Sequence, residues 1–213
     1  MRFSDLAATS AAVAATSKRL AKVDLLANAL LELRAEPVEV AAGSAYLAGE
    51  LRQRQIGVGW AALRDLPDPA PAPSLTVAQV DAFLAEIGVQ SGAGSQGRRR
   101  DLLVALFAAA TETEQTLLRG LISGEVRQGA QAGLLVDAIA RAAEVDVASV
   151  RRALLLSGDF KTVAVAALEG GSAALSTIGL EVGRPLTPML AQAAPTVAEI
   201  GRASCRERVL RLV

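Results

Sequence analysis

The sequence writes Gly-Glu-aliphatic-Arg-Gln twice, as GELRQ at 49–53 and as GEVRQ at 124–128, seventy-five positions apart. A glycine just past a helix can take a left-handed conformation, and the arginine that follows then projects at a bend where the next helix presents unpaired N–H groups. Such a turn favours an anion. Two copies could grip two phosphates of one duplex, holding its backbone without reading bases. Two ordinary glycine-capped helix ends, each with its arginine paired to a neighbouring carboxylate, fit the same pattern equally well.

Other chemistry is thinly represented. The chain has no histidine, which excludes a Ser-His-Asp triad, a Cys-His pair and a His-ligated metal site. Its three lysines, Lys18, Lys22 and Lys161, stand in no recognisable catalytic motif, so no catalytic residue and no metal ligand is assigned. The single cysteine, Cys205, excludes an internal disulfide framework. Gly92, Gly94 and Gly97 have G-x-G-x-x-G spacing within 88–101, but that motif needs a preceding strand and the segment before it has helical period. A flexible linker explains these glycines better. A third reading lets the Gly/Ser amides, with Arg98, Arg99 and Arg100 at a helix start, hold a backbone phosphate.

The elements that must position these turns read as helices. Hydrophobic residues make up 52% of the 213 but aromatic ones only 3%, and Ala, Leu and Val dominate, a mix that suits packed helices better than sheets. In residues 17–33, Leu20, Val23, Leu26, Leu30 and Leu33 recur at helical spacing behind a basic start of Lys18, Arg19 and Lys22. Further helices are expected from Val38 to about Gly49 and from Trp60 to Leu66. Four prolines in LPDPAPAPS, 66–74, form an extended connector. Thr76 and Gln79 have capping-box spacing and open a helix ending near Ile87 and Gly88. Helices follow at about 98–110, 112–123, 131–143, 146–156 and 159–168, with a second capping box at Thr111 and Glu114 and a break at Gly158 and Asp159. Their short connections predict an all-α, compact, orthogonal multi-helix bundle over 1–178, in two pseudo-repeated halves of about 1–66 and 75–178. Residues 179–198 read as a linker.

The longest uncharged stretch, 185–198, is about fourteen residues with three prolines, too short and broken to span a bilayer. Asp5 interrupts the position where a secretory signal needs its apolar run, so a cytoplasmic location is expected. Residues 199–213 change character, with four arginines and the only cysteine. EIGRASCRERV, 199–209, resembles the one-frame translation of a common sequencing-library adapter, and 199–213 is therefore expected to be a non-native tail. Without it the chain carries 18 basic and 20 acidic residues, a net charge of −2. That offers no broad basic surface.

Resemblance separates the two readings of the repeat. ATETEQTLLRGLISGEVRQGAQAGLLVDAIARAA, 110–143, resembles the second half of the N-terminal DNA-binding domain of ATP-dependent DNA ligases, the bacterial and archaeal branch related to eukaryotic replicative enzymes. YLAGELRQRQIGVGWAAL, 46–63, resembles the corresponding first-half signature, and TSKRLAKVDLLANAL, 16–30, the family's opening helices. GRPLTPMLAQ, 183–192, is similar to the segment leading into the nucleotidyltransferase domain.

The resemblance implies nick sealing in replication, repair and recombination. A K-x-D-G lysine takes AMP from ATP, AMP passes to the 5′-phosphate, and the 3′-hydroxyl displaces it with Mg²⁺ assistance. This sequence contains no K-x-D-G, since Lys161 is followed by Thr162 and Val163, and it lacks an OB-fold domain. The resemblance therefore implies a ligase fragment inactive by itself, binding neither ATP nor Mg²⁺. As a nucleoid-associated monomer it would bind nicked duplex DNA, independently of sequence, from the minor-groove side. The matching positions are Gly124, Arg127 and Gly129 in the second repeat, Arg52 and Arg54 in the first, and Ser17, Lys18 and Arg19 at the start of the second helix, with Arg98 to Arg100 as further candidates. The competing class is a helical scaffold or protein-interaction module whose arginines form internal pairs.

Overall fold

The computed structural model describes residues 1–53, 55–126, 132–184 and 186. Among them run nine α-helices: α1 (Phe3–Ala15), α2 (Arg19–Leu33), α3 (Pro37–Leu47), α4 (Val77–Val89), α5 (Ser95–Ala109), α6 (Glu112–Ser123), α7 (Ala132–Ala142), α8 (Val147–Ser157) and α9 (Phe160–Thr177). A single 3-10 turn, Trp60–Leu63, lies between α3 and α4. The described residues form no strand, only an isolated antiparallel bridge between Arg2 and Thr76. The expected all-α class is what the chain adopts.

Local chemistry starts four of these helices where the sequence places them. Thr76 Oγ1 accepts from Gln79 N and Thr76 N donates to Gln79 Oε1, a reciprocal box at the head of α4. At the head of α6, Thr111 donates from both N and Oγ1 to Glu114 Oε2. Asp146 caps α8, accepting from Ser149 N, and Asp159 caps α9, accepting from Lys161 N.

Three expectations are corrected. Helix α5 begins at Ser95 rather than 98, because Gly94 takes φ +75° and caps the helix, which leaves Gly97 inside its first turn. Helix α9 runs beyond 168 to Thr177, kinked at Gly171, and buried Leu175 holds the second leg to the core. Leu20 stands off the apolar stripe of α2 at 69% exposure, whereas Val23, Leu26, Leu30 and Leu33 are buried as expected.

The strongest helix pairings are α2 with α7 and α3 with α9, and both join elements from opposite sides of the proline connector. One hydrophobic core therefore runs through both halves. The connector is pinned against the junction of α5 and α6: Gln115 Nε2 donates to Pro67 O and Phe107 O, and Ala70 N donates to Ala110 O. Phe3 meets Tyr46 edge to face, with ring centroids 6.2 Å apart. The small residues elsewhere let helices approach closely. At Gly43 in α3, a β-carbon would lie 2.4 Å from Leu33 Cδ1, and Leu33 is itself fully buried. Gly43→Ala is accordingly expected to destabilise the fold by roughly 1–3 kcal/mol through overpacking, read as a lowered urea midpoint at unchanged m-value.

Candidate nucleic-acid interface

The opening Gly-Glu of each repeat folds into the same turn. After α3, Gly49 takes φ +81°, and Glu50 N reaches back to Ala45 O at 2.9 Å. After α6, Gly124 takes φ +72°, and Glu125 N reaches Gly120 O at 2.9 Å. Each is a helix end closed by a bond across six residues around a left-handed glycine, a backbone state that costs any side-chain-bearing residue about 1–2 kcal/mol. The turns also meet. A β-carbon on Gly49 would stand 3.3 Å from Val126 Cβ, and one on Gly120 3.2 Å from Val126 Cγ2, so the aliphatic residue of the second copy fills hollows beside glycines of both. Gly49, Glu50 and Leu51 face Leu121, Ser123 and Gly124 across a shallow groove.

Arg52, the arginine of the first copy, turns inward to the carboxylate of Asp81 on α4. Its Nε donates to Asp81 Oδ1 and Oδ2 at 2.9 Å each, and its Nη2 to Oδ2 at 2.6 Å. Gln53 Nε2 adds a bond to Oδ1 at 2.8 Å and Tyr46 Oη another at 3.3 Å. Asp81 is 3% exposed, while the Arg52 side chain keeps 39% of its surface. Burial, then the neighbouring Asp81 charge, pushes the Tyr46 hydroxyl far above its ordinary pKa, so it stays a neutral donor. The hydrogen bond to Asp81 raises Arg52 as well. For Arg52, the pair with a neighbouring carboxylate is thus what the fold contains.

Arg98 and Arg99 are likewise engaged within the fold. Arg98 donates to Gln90 Oε1, Ala93 O and Ser91 O, and Arg99 to Ile87 O and Gln90 O. Both place positive charge at the C-terminal end of α4 and the loop that follows it. Arg100 is exposed, and its side chain has no hydrogen bond or ion pair among the described residues. Arg54, Arg127 and Gly129 lie outside the described residues.

At the start of α2, Ser17, Lys18 and Arg19 are all exposed. Arg19 Nη2 lies 2.5 Å from Asp137 Oδ2 on α7, and Asp24 pairs with Arg141 further along. Residue numbers rise together in the two pairs, so α2 and α7 run in the same direction. Their N-termini consequently open at one end of the bundle, offset by about 8 Å at 1.5 Å per residue. The positive ends of both helix dipoles point the same way, and α7 is the helix that follows the second turn. A groove between α1 and α6 is lined by Ala11 and Ala14 near the end of α1 and by Gly120, Glu125 and Val126 around that turn.

Residues 64–140 match the family model described as DNA ligase N terminus. Over 197 residues the chain is 56% identical to a probable DNA ligase of Mycobacterium marinum, an alignment covering 91% of this chain and 38% of that protein. It is 53% identical over 197 residues to DNA ligase B of Mycobacterium tuberculosis, covering 92% and 38%. The chain belongs to the DNA ligase family. It carries the family's N-terminal region and spans a little over a third of the length of these ligases.

In this ligase region, sequence reasoning missed Asp81, Asp137 and Arg151, the last an exposed arginine on α8 that also reaches Asp137. Asp81 did leave a trace, since it falls among Val77, Val80, Leu84 and Ile87 on the apolar face of α4, where an unpaired carboxylate is costly. Removing it strands the Tyr46 hydroxyl and unpins Arg52 and Gln53. Asp81→Ala is expected to cost roughly 2–3 kcal/mol, the low end for a broken buried pair because Arg52 is partly solvated, as measured by chemical denaturation.

Proposed function

We propose that this region is the DNA-binding domain of an ATP-dependent ligase and that it holds nicked duplex DNA through backbone phosphates, independently of sequence. The supporting observation is the parallel pairing of α2 and α7. It sets two helix N-termini and the exposed Ser17–Lys18–Arg19 segment at one end of the bundle, and α7 is the helix that follows the second glycine turn in the chain. Arg127 and Gly129 follow directly in the chain from that turn, and Arg54 occupies the equivalent part of the first copy. Gly124 supplies a bare backbone that a phosphate can approach, for nothing stands within 4 Å of the position its β-carbon would take. Arg52 and Arg98 belong to the surface as residues that hold its turns in shape, since their guanidinium groups are already bonded.

The longer enzyme is assigned the family reaction, ATP-dependent nick sealing in replication, repair and recombination, in the cytoplasm at the nucleoid. ATP and Mg²⁺ belong to that enzyme. In this chain no lysine stands in K-x-D-G, and among the described residues no group of three His, Cys, Asp or Glu side chains is placed to hold a metal ion. No chemical step is assigned to this region, which acts as a monomeric clamp. Among the described residues no helix is long and apolar enough to cross a membrane.

The internal pairing of Arg52, Arg98 and Arg99 favours a second reading, a helical scaffold. Titration of a labelled nicked duplex at several salt concentrations separates the two. The DNA reading expects salt-sensitive binding that Lys18→Ala and Arg127→Ala each weaken, with the log–log salt slope shallower by ~0.9 per lost phosphate contact. A folded chain that shows no binding at low salt favours the scaffold. Incubation with labelled ATP is expected to leave no AMP covalently attached to this chain.

A further inference from the structure

Asp137 of α7 has an unusual position for a half-buried carboxylate on a surface that attracts anions. Arg19 Nη2 lies 2.5 Å from its Oδ2, and Arg151 Nη2, arriving from α8, lies 3.5 Å from its Oδ1. The carboxylate is 23% exposed, whereas the two arginine side chains keep 60% and 65% of their surfaces. Two solvated guanidinium groups on different helices therefore converge on one carboxylate and leave a net positive charge. The neighbouring Arg141 is matched by Asp24, so the surplus resides on the Arg19–Asp137–Arg151 group. Arg19, Leu20, Asp137, Arg141 and Arg151 line one open depression, with Leu20 standing exposed at its rim.

Resting on the DNA-binding reading above, we infer that Arg19 and Arg151 jointly hold a single backbone phosphate and that Asp137 sets how tightly they do so. Asp137 performs two opposed tasks. It keeps two flexible arginines oriented toward the same point, which lowers the ordering cost when a phosphate arrives. It also competes with the phosphate for the same N–H donors and adds a like charge beside it. Exposed pairs of this kind are individually weak, so a backbone phosphate, with the same single charge as the carboxylate but set in a row of like charges along the strand, displaces the carboxylate from the outer edges of the two guanidinium groups. The region can then bind duplex at low net charge and still release it, because the restraint is built into the contact.

The test is fluorescence anisotropy of a labelled nicked duplex with the unsubstituted chain and with Asp137→Asn, Arg151→Ala and both together, across a salt series. Asp137→Asn keeps the side-chain shape and removes the charge. It is expected to tighten binding roughly three- to tenfold, the size of two released exposed pairs. Arg151→Ala is expected to weaken binding by a similar factor and to make the log–log salt slope shallower by ~0.9. In the Asp137→Asn background the loss from Arg151→Ala should be larger, since more of the arginine is then available. Thermal melts of each variant identify any that fail to fold, and Arg151→Gln provides the same charge removal with a longer side chain retained. Binding by the unsubstituted chain that Asp137→Asn leaves unchanged or weaker, with Arg151→Ala and Arg151→Gln leaving the salt slope unaltered, would overturn the inference alone. Absence of any binding by the unsubstituted chain would overturn it together with the DNA reading.

Discussion

A single carboxylate, Asp81, ties the first half of the molecule to the second. It lies on α4, after the proline connector, yet its partners Tyr46, Arg52 and Gln53 all come from before it. Charge buried at this depth persists only when its lone pairs are filled, and here a guanidinium edge, an amide and a phenol fill them. The first glycine turn consequently has one orientation. Because Gly49 in that turn packs on Val126 in the second, the second turn is located through the same carboxylate.

Around this tie the bundle solves a geometric problem. Helix dipoles add constructively only when helices point the same way, and adjacent helices joined by short loops normally point in opposite directions. Here α2 and α7 are separated by four helices and a connector, which leaves them free to pack in parallel with their N-termini together. A region with few surplus cations obtains a positive end from backbone dipoles. Near-zero net charge and phosphate binding are compatible for that reason, whereas a surface built from lysine alone would need a basic composition.

Much of this was legible from local sequence. Capping residues at Thr76, Thr111 and Asp159 and glycines at 49 and 124 act within a few positions of themselves, so the starts of α4, α6 and α9 and the glycines of the repeated turn could be read directly. Partners chosen at long range could not. Arg52 finds Asp81 twenty-nine positions away, and Arg98 and Arg99 fold back to the end of the preceding helix instead of facing outward with Arg100. An arginine reads identically in sequence whether it holds a ligand or a neighbouring carboxylate. The fold shows which candidates have partners inside the chain: Arg52 bonds Asp81, Arg98 bonds the loop after α4 and Arg19 bonds Asp137. The length of α9 was missed for a related reason, since Gly170 and Gly171 end a helix by propensity but Leu175 carries the chain back onto the core.

The contact between the duplicated turns bears on their descent. Val126 fills the hollows beside Gly49 and Gly120, so the volume given up by one copy is occupied by the other. Two copies of a motif on opposite faces could drift apart freely, one keeping its role while the other decayed. These two share a boundary, and a larger residue at 49 would require a smaller one at 126. Inheritance would then act on them as one unit, with changes accepted in pairs.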